Sequence, residues 1–385
     1  MKKAIVVGGS NGIGFAITQK LIADGYFVHI FDRTEPESGI IAPDKYEYIY
    51  CNLLDFSTEI FDEYAKDSSV ELLMITAGFG RICDFEYLHP AEIDNLFKVN
   101  SAAAVKIIRA FYDRIKSKES FYCGVMGSIA GLISSPMFSV YAATKAAICR
   151  FTESVNIELE AYGTANRILN VSPGSIKGTR FNGGENDFSQ TEALASDIIE
   201  NLLRHNELFI PQYEETFKDV IDRYNTDSHA FGLSSYEYKK SSGRAANEKK
   251  VCIGYLSGTF DLFHVGHLNL LRKAKQQCDY LIVGVHPDAS HKGKETFIPF
   301  EERMQIVGSI QYVDKVVQSV PEDSDAWDKW HYNKLFVGSD YKGTERFLRY
   351  EEYFKDKGVE IVYFPYTKGT SSTQIRETII GKSKK

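Results

Sequence analysis

No stretch of the 385 residues has the roughly 20 consecutive apolar residues that a membrane-spanning helix needs. The apolar start Ala4-Ile5-Val6-Val7 is too short for a signal peptide and runs straight into Gly8-Gly9, so it reads as a first strand. Basic residues are not in excess either. The net charge of −7 argues against bulk attraction to nucleic acid or to an anionic membrane surface, so any anionic ligand must meet local positive groups. The six cysteines, at 51, 83, 123, 149, 252 and 278, include no CxxC pair and no His/Cys cluster of zinc spacing. Several lie in apolar runs such as Phe121-Tyr122-Cys123-Gly124-Val125 and read as buried free thiols of a cytoplasmic protein. No internal repeat is present, and the two halves carry different glycine signatures, which argues against duplication of one unit.

What is present is material for two cores. The length exceeds one ordinary domain, and 43% hydrophobic with 25% charged residues is globular composition. Apolar runs at 4–7, 27–31, 46–51, 72–76, 122–127 and 168–171 read as strands, separated by amphipathic stretches such as 14–24 and 102–116. That alternation predicts an α/β fold with a parallel sheet. A second system follows, with strands at 252–256, 280–285, 334–337 and 359–364 and a helix at 266–277. Between them, residues 233–250 are rich in Ser, Lys, Tyr, Gly and Asn and poor in aliphatics, and read as a solvated linker. The expected domains are therefore 1–232 and 251–385, each folding by itself.

Gly8-Gly9-Ser10-Asn11-Gly12-Ile13-Gly14 joins a strand to a helix, with glycines at 8, 12 and 14. Such a turn lets backbone N–H groups approach a pyrophosphate at the positive end of the helix. Asp32 ends the second strand, where a carboxylate can accept from an adenosine ribose, while the neighbouring Arg33 suits a 2′-phosphate. NAD and NADP both stay open. Further on, Tyr141-Ala142-Ala143-Thr144-Lys145 sets a phenol and an ammonium one helical turn apart. Ser128 stands 13 residues earlier, Asn100 follows Lys98-Val99, Ala77-Gly78 ends the fourth strand and Pro173-Gly174 the sixth.

This ordered set resembles the short-chain dehydrogenase/reductase family over about the first 230 residues. The resemblance implies a Rossmann doubly wound sheet and an NAD(P)H cofactor. Tyr141 would be the general acid, Lys145 a cation that lowers its pKa and holds the nicotinamide ribose, Ser128 a hydrogen-bond partner of the alkoxide, and Asn100 the holder of a relay water. Asn52 stands where the family often has Asp for the adenine contact. Lys177 and Arg180, with Arg81, could bind a substrate phosphate, or be solvated charges on a lid.

In the second half, Gly258-Thr259-Phe260-Asp261-Leu262-Phe263-His264-Val265-Gly266-His267 again joins a strand to a helix and contains HxGH. Two imidazoles at a helix N-terminus can donate to a triphosphate. A zinc site would need a third ligand that the neighbourhood does not offer. Lys292 and Lys294 precede Pro299-Phe300-Glu301-Glu302-Arg303, then come Tyr312-Val313-Asp314, Val337-Gly338-Ser339-Asp340-Tyr341, and Thr367-Lys368-Gly369-Thr370-Ser371-Ser372-Thr373. Residues 252–379 resemble the cytidylyltransferase family that includes glycerol-3-phosphate cytidylyltransferase, with a second, smaller Rossmann-like α/β domain. By that resemblance His264 and His267 would stabilise the transition state, helped by Lys292. Lys294, Arg303, Asp340, Thr370, Ser371 and Ser372 would help bind CTP, with Mg2+ as the ion. Tyr366 replaces the arginine of the family's RTEGISTT motif. The family also resembles heptose-phosphate adenylyltransferases, which keeps ATP open.

Together the halves suggest a bifunctional enzyme. A ketose phosphate, pentulose 5-phosphate ahead of dihydroxyacetone phosphate, would become a polyol phosphate and then a CDP-polyol for a cell-surface polymer. The competing reading makes the first domain a non-catalytic binding or oligomerising module. Small molecules are the expected partners, with no nucleic acid and no membrane, and a homodimer or tetramer is the expected assembly.

Overall fold

In the first strand Ala4 and Val6 join one core cluster, Ile5 and Val7 another, and all four are buried. A strand covered on both faces implies a sheet between two helical layers. The computed structural model describes residues 2–88, 90–179, 181, 187–242, 252–289, 295–365 and 375. Its chain divides into two compact units, Met1–Glu248 and Lys249–Lys385. Each is built on a parallel sheet.

The first unit has seven strands: β1 Lys3–Val7, β2 Phe27–Asp32, β3 Tyr46–Tyr50, β4 Val70–Ile75, β5 Tyr122–Met126, β6 Ile168–Val171 and β7 Leu208–Phe209. Their order is β3-β2-β1-β4-β5-β6-β7. It reverses between β1 and β4, so a crevice opens at their carboxyl ends. Helix α1 (Gly12–Ala23) leaves β1 on one face. On the same face α5 (Glu192–Leu203) joins it, through Ala16, Ile17 and Leu21 in one cluster with Leu194, Ile198 and Leu202. On the other, α2 (Pro90–Phe97) passes through a π-helical turn, Lys98–Ala103, into α3 (Ala104–Ala110). Beside it lies the long α4 (Ser139–Ala161), which buries Tyr141, Lys145, Ile148, Thr152 and Leu159. Asn156 locks α4 to β6: its amide donates to the Ile168 carbonyl at 3.0 Å and accepts the Ile168 N–H at 2.8 Å.

The unit ends in α6 (Lys218–Thr226) and α7 (Ser228–Ser241). Residues 233–241 are therefore helix, and the expected linker is corrected there. Asp227 caps α7 by accepting from the His229 and Ala230 N–H groups. The cap precedes the polar stretch, and no α7 residue is fully buried, so the stretch shows no apolar stripe to read.

The second unit has β8 Ile253–Gly258, β9 Tyr280–Val285, β10 Lys315–Gln318, β11 Lys334–Gly338 and β12 Glu360–Phe364, in the order β10-β9-β8-β11-β12. Here the reversal falls between β8 and β11. Leu256, Leu271, Leu281, Val283, Val307 and Phe336 form the core, with α8 (Val265–Lys275) and α9 (Phe300–Gly308) contributing. Helices α10 (Asp323–Trp330) and α11 (Glu345–Phe354) complete it. Strands β7 and β10, of two and four residues, lie at the sheet edges and are not among the apolar runs read as strands. All six cysteines are free. Among the described residues no helix is long and apolar enough to cross a membrane.

Candidate active sites

The first glycine turn is held by close backbone approach. Gly8 has φ +86°, and a Cβ on it would lie 2.6 Å from the Ala77 nitrogen; one on Gly14 would overlap the Gly8 carbonyl. Gly12, at φ +54°, opens α1. The Thr76 hydroxyl, at the end of β4, hydrogen-bonds to the Val7 and Gly8 carbonyls, each at 3.0 Å, and pins the turn. Asp32 accepts the Ser10 N–H at 3.1 Å and the Thr34 N–H at 3.3 Å. Asn11 does not cap α1 but reaches the Thr34 hydroxyl at 3.2 Å. Ile13 packs at the core edge, and Arg33 is exposed. The buried Ser10 hydroxyl has no partner among the described residues. A buried hydroxyl without a partner is costly unless a ligand completes it. The residues present therefore fit a dinucleotide pyrophosphate.

Around Tyr141 the groups converge. A Cβ on Gly78 would lie 3.3 Å from both the Asn100 Oδ1 and the Lys145 Nζ, so the two flank one point on the crevice floor. Asn100 sits in the π-helical turn, an irregularity common at functional sites. Its Oδ1 accepts the Phe79 N–H at 3.0 Å, and its Nδ2 donates to the Phe79 carbonyl and the Thr144 hydroxyl at 2.8 and 3.2 Å. With both amide hydrogens committed, a relay water could use only the second lone pair of Oδ1. The Ser128 hydroxyl accepts the Ala130 N–H at 3.2 Å and faces the Pro173 carbonyl at 3.4 Å. Gly174 lies under Phe217, whose ring a Cβ would overlap. Asn52 is taken up in a local turn, accepting the Leu54 N–H.

Burial dominates the electrostatics here. It pushes the Tyr141 phenol up to about 12, against a Ser128 hydrogen bond that favours the phenolate. Burial also lowers the Lys145 ammonium to about 8. Lys145 was expected to depress Tyr141; instead its ammonium donates to the Met126 carbonyl at 2.7 Å. The expected phosphate cations fare differently. Arg81 is spent on both Glu92 oxygens, at 2.8 and 3.2 Å, and on the Tyr87 carbonyl at 2.7 Å, which corrects its assignment. Lys177 is exposed, and Arg180 lies outside the described residues.

In the second unit β8 ends at Gly258, and Phe260 and Leu262 both take positive φ, +53° and +50°. Such backbone is costly for L side chains and gathers at functional sites. Then α8 begins, capped by its own imidazoles. The His264 Nδ1 accepts the Gly266 N–H at 3.0 Å, and the His267 Nδ1 lies 3.4 Å from the His264 N–H. With Nδ1 accepting, each neutral ring carries its hydrogen on Nε2, as a donor. The rings stack at 4.1 Å, and burial lowers the His264 pKa, so this ring favours its neutral form. The Thr259 hydroxyl is buried without a partner among the described residues, as Ser10 is in the first unit. Asp340 is exposed just past β11, its Oδ1 against Gly338.

Arg303, expected to neutralise phosphate, is fully buried. It donates to the carbonyls of Ile298 (2.9 Å), Thr259 (2.6 Å), His286 (2.7 Å) and Pro287 (2.6 Å). Its assignment is corrected: it fastens the loops after β8 and β9 to the start of α9. Asp261 works alongside, accepting the Phe297 and Ile298 N–H groups at 3.1 and 3.0 Å. Asp323, not anticipated, is buried at the start of α10 and accepts from the Ser257 hydroxyl at 2.8 Å. Lys292, Lys294, Thr370, Ser371 and Ser372 lie outside the described residues. Among the described residues no group of three or more His, Cys, Asp or Glu gathers as a metal site.

Residues 2–190 match the short chain dehydrogenase family, and residues 255–378 match the cytidylyltransferase-like family. Over 132 residues the chain is 36% identical to glycerol-3-phosphate cytidylyltransferase of Staphylococcus aureus, covering 33% of this chain and 95% of that protein. Over 187 residues it is 30% identical to the NADPH-dependent 1-acyldihydroxyacetone phosphate reductase of Saccharomyces cerevisiae, covering 46% of this chain and 61% of that protein. A short-chain dehydrogenase structure from Streptomyces avermitilis matches with TM-score 0.50 and 23% identity, over 63% of this chain and 98% of that one, a likeness of fold.

The burial of Arg303 separates stability from ligand binding. Arg303→Met leaves four carbonyls without their donor, at roughly 1–3 kcal/mol for each that stays buried and unpaired. The melting transition of the second unit should therefore drop sharply in calorimetry. An unchanged transition with only a raised KM for nucleotide would return Arg303 to the phosphate.

Proposed function

We propose that this chain, which belongs to the short-chain dehydrogenases through its first unit and to the cytidylyltransferases through its second, carries out two consecutive reactions. The first reduces a ketose phosphate to a polyol phosphate with NAD(P)H. The second transfers CMP from CTP to that phosphate, releasing pyrophosphate and giving a CDP-polyol for a surface polymer. The observation that carries this reading is a pair of glycine turns on one chain, each at the strand reversal of its sheet and each with a buried hydroxyl lacking a partner, Ser10 and Thr259. Each turn suits a phosphate, and the product of the first reaction is the acceptor of the second. Pentulose 5-phosphate and dihydroxyacetone phosphate are the candidate ketoses. The two relatives act on a glycerol phosphate and on a dihydroxyacetone phosphate derivative by their names, which gives weight to the smaller one. The proposed setting is cytoplasmic, and the proposed assembly a homodimer or tetramer.

In the reduction, NAD(P)H when bound supplies the hydride. Tyr141 would protonate the carbonyl oxygen, a phenol kept protonated by its burial. Ser128 would hydrogen-bond that same oxygen as charge develops, and the Lys145 ammonium would hold ribose hydroxyls. Asp32 favours the unphosphorylated cofactor and exposed Arg33 the phosphorylated one; the carboxylate tips the choice to NADH. In the transfer, a phosphate oxygen of the acceptor attacks the α-phosphorus of CTP while pyrophosphate leaves in line. The acceptor is already anionic, so no strong base is needed, and the work is positioning and charge stabilisation. The Nε2–H groups of His264 and His267, with the N-terminus of α8, would take up charge on the phosphates. Mg2+ would arrive held largely by phosphate oxygens. Incubation with ketose phosphates, NADH or NADPH, and CTP or ATP, read by mass spectrometry, tests the reading directly.

Tyr141→Phe should lower ketone reduction by about 10²–10⁴-fold, the usual worth of a general acid. Cofactor binding, followed by NADH fluorescence, should barely change; near-normal reduction by this variant would contradict the role.

The pH profile follows from Lys145. Its ammonium is present below about 8 and is lost as pH rises through that value, while Tyr141 stays protonated to about 12. The kcat/KM for NADH in reduction should be level at neutral pH and fall above about 8. A plateau persisting to the phenol's range would show that the Lys145 charge is not required.

His264→Ala should cost CMP transfer about 2–4 kcal/mol, the worth of one preorganised donor. Reduction by the same variant should be unaltered; loss of both activities in a folded protein would contradict two self-sufficient sites.

A further inference from the structure

The end of α7 reaches back to the reductase site. The Lys239 ammonium donates to the Ser135 hydroxyl at 2.6 Å and to the Pro136 carbonyl at 2.9 Å, across more than a hundred residues of sequence. Both acceptors are neutral, and burial lowers this ammonium to about 8. Residues 135–138 form the turn that leads into α4. Within it the Phe138 N–H donates to the Ser135 carbonyl at 3.0 Å, and the Phe138 carbonyl accepts the Ala142 N–H at 2.8 Å. The Phe138 ring stacks on that of Tyr141, centroids 4.1 Å apart and planes 18° from parallel. Gly80 adjoins both rings: a Cβ there would lie 2.6 Å from the Tyr141 Cδ2 and 3.0 Å from the Phe138 Cε2.

Met137, in the middle of this turn, is buried at φ +60°, left-handed backbone that L side chains disfavour. Such a residue persists only where its surroundings over-determine it. The Cys83 N–H supplies one restraint, donating to the Met137 carbonyl at 2.8 Å. Lys239 supplies the other, on the two residues just before Met137. A lysine suits the task, because its apolar stem can run along the protein while three N–H donors serve the tip.

We propose that Lys239 is a positioning residue of the reductase. By fastening α7 to Ser135 and Pro136 it holds the turn at Met137 and, through Phe138, the ring of Tyr141. This rests on reading Tyr141 as the general acid. It also means that the polar stretch after Gly232 belongs to the first active site, so that dividing the chain there removes part of it.

The test uses the full chain with Lys239→Met, Lys239→Arg and Tyr141→Phe beside the parent. Hydrogen exchange is independent of the substrate's identity. In Lys239→Met, amides of 134–142 should exchange faster, with β1 and the second unit unchanged. In kinetics, kcat for reduction should fall on the order of tenfold or more, the scale of a small misplacement of a reacting group. KM for the cofactor and the rate of CMP transfer should hold, and Lys239→Arg should regain most of the loss. Parent-like exchange and kcat in Lys239→Met would overturn the proposal, as would faster exchange spread through the whole first unit. If Tyr141→Phe reduces as well as the parent, the general-acid reading fails instead, and the exchange of 134–142 still decides whether Lys239 holds the turn.

Discussion

Backbone brought into van der Waals contact at the end of a first parallel strand is what both centres in this chain depend on. In the first unit the Gly8 carbonyl occupies the space where a Gly14 side chain would stand, and the Thr76 hydroxyl bonds to the same carbonyl. That contact aims the start of α1 at the crevice between β1 and β4, where the strand order reverses. The second unit reaches a similar end by other means. Its turn passes through two left-handed non-glycine residues, Phe260 and Leu262, and Arg303 and Asp261 bind the surrounding backbone together. A buried guanidinium satisfied by carbonyls of two loops acts as a local brace, stronger than neutral hydrogen bonds would be. Each turn then presents helix N–H groups and one buried hydroxyl.

In both sites burial works against charge. Around Tyr141 water is largely excluded, and burial raises the phenol while lowering the amine beside it. The first shift keeps on Tyr141 the proton it would donate to a carbonyl, and the second leaves Lys145 charged only below about 8. At the histidine pair, Nδ1 of each ring is turned to backbone N–H, and burial keeps His264 neutral. Such an arrangement suits the proposed role of oriented Nε2–H donors. The net charge of −7 makes this local arrangement necessary, since anionic ligands gain little from the molecule as a whole.

Much of this was legible in the sequence, for a physical reason. Close approach demands glycine at 8, 12 and 14, and a helical turn spaces Tyr141 from Lys145, so chemistry and spacing coincide along the chain. The HxGH spacing likewise places His264 and His267 at the start of α8. What could not be read depends on closure across long separations. Lys239 meets Ser135 only after the chain has folded, and Arg81 finds Glu92 on a neighbouring helix. Arg303 carried a charge and a familiar spacing, but spacing does not show that a side chain is buried. Residues 233–241 read as linker in the sequence because a helix lying on the surface needs no apolar stripe. Strand β7, two residues long, exists because β6 offers it a ladder.

The link between the two reactions is the central claim, and isotope transfer tests it most directly. NADH or NADPH carrying deuterium in the transferable position is incubated with the full chain, a ketose phosphate and CTP, and the products are weighed by mass spectrometry. The account predicts a CDP-polyol with one deuterium on carbon, formed in the same vessel without another enzyme. Transfer of CMP to a ready-made polyol phosphate, with no label entering from any ketose phosphate, would contradict it.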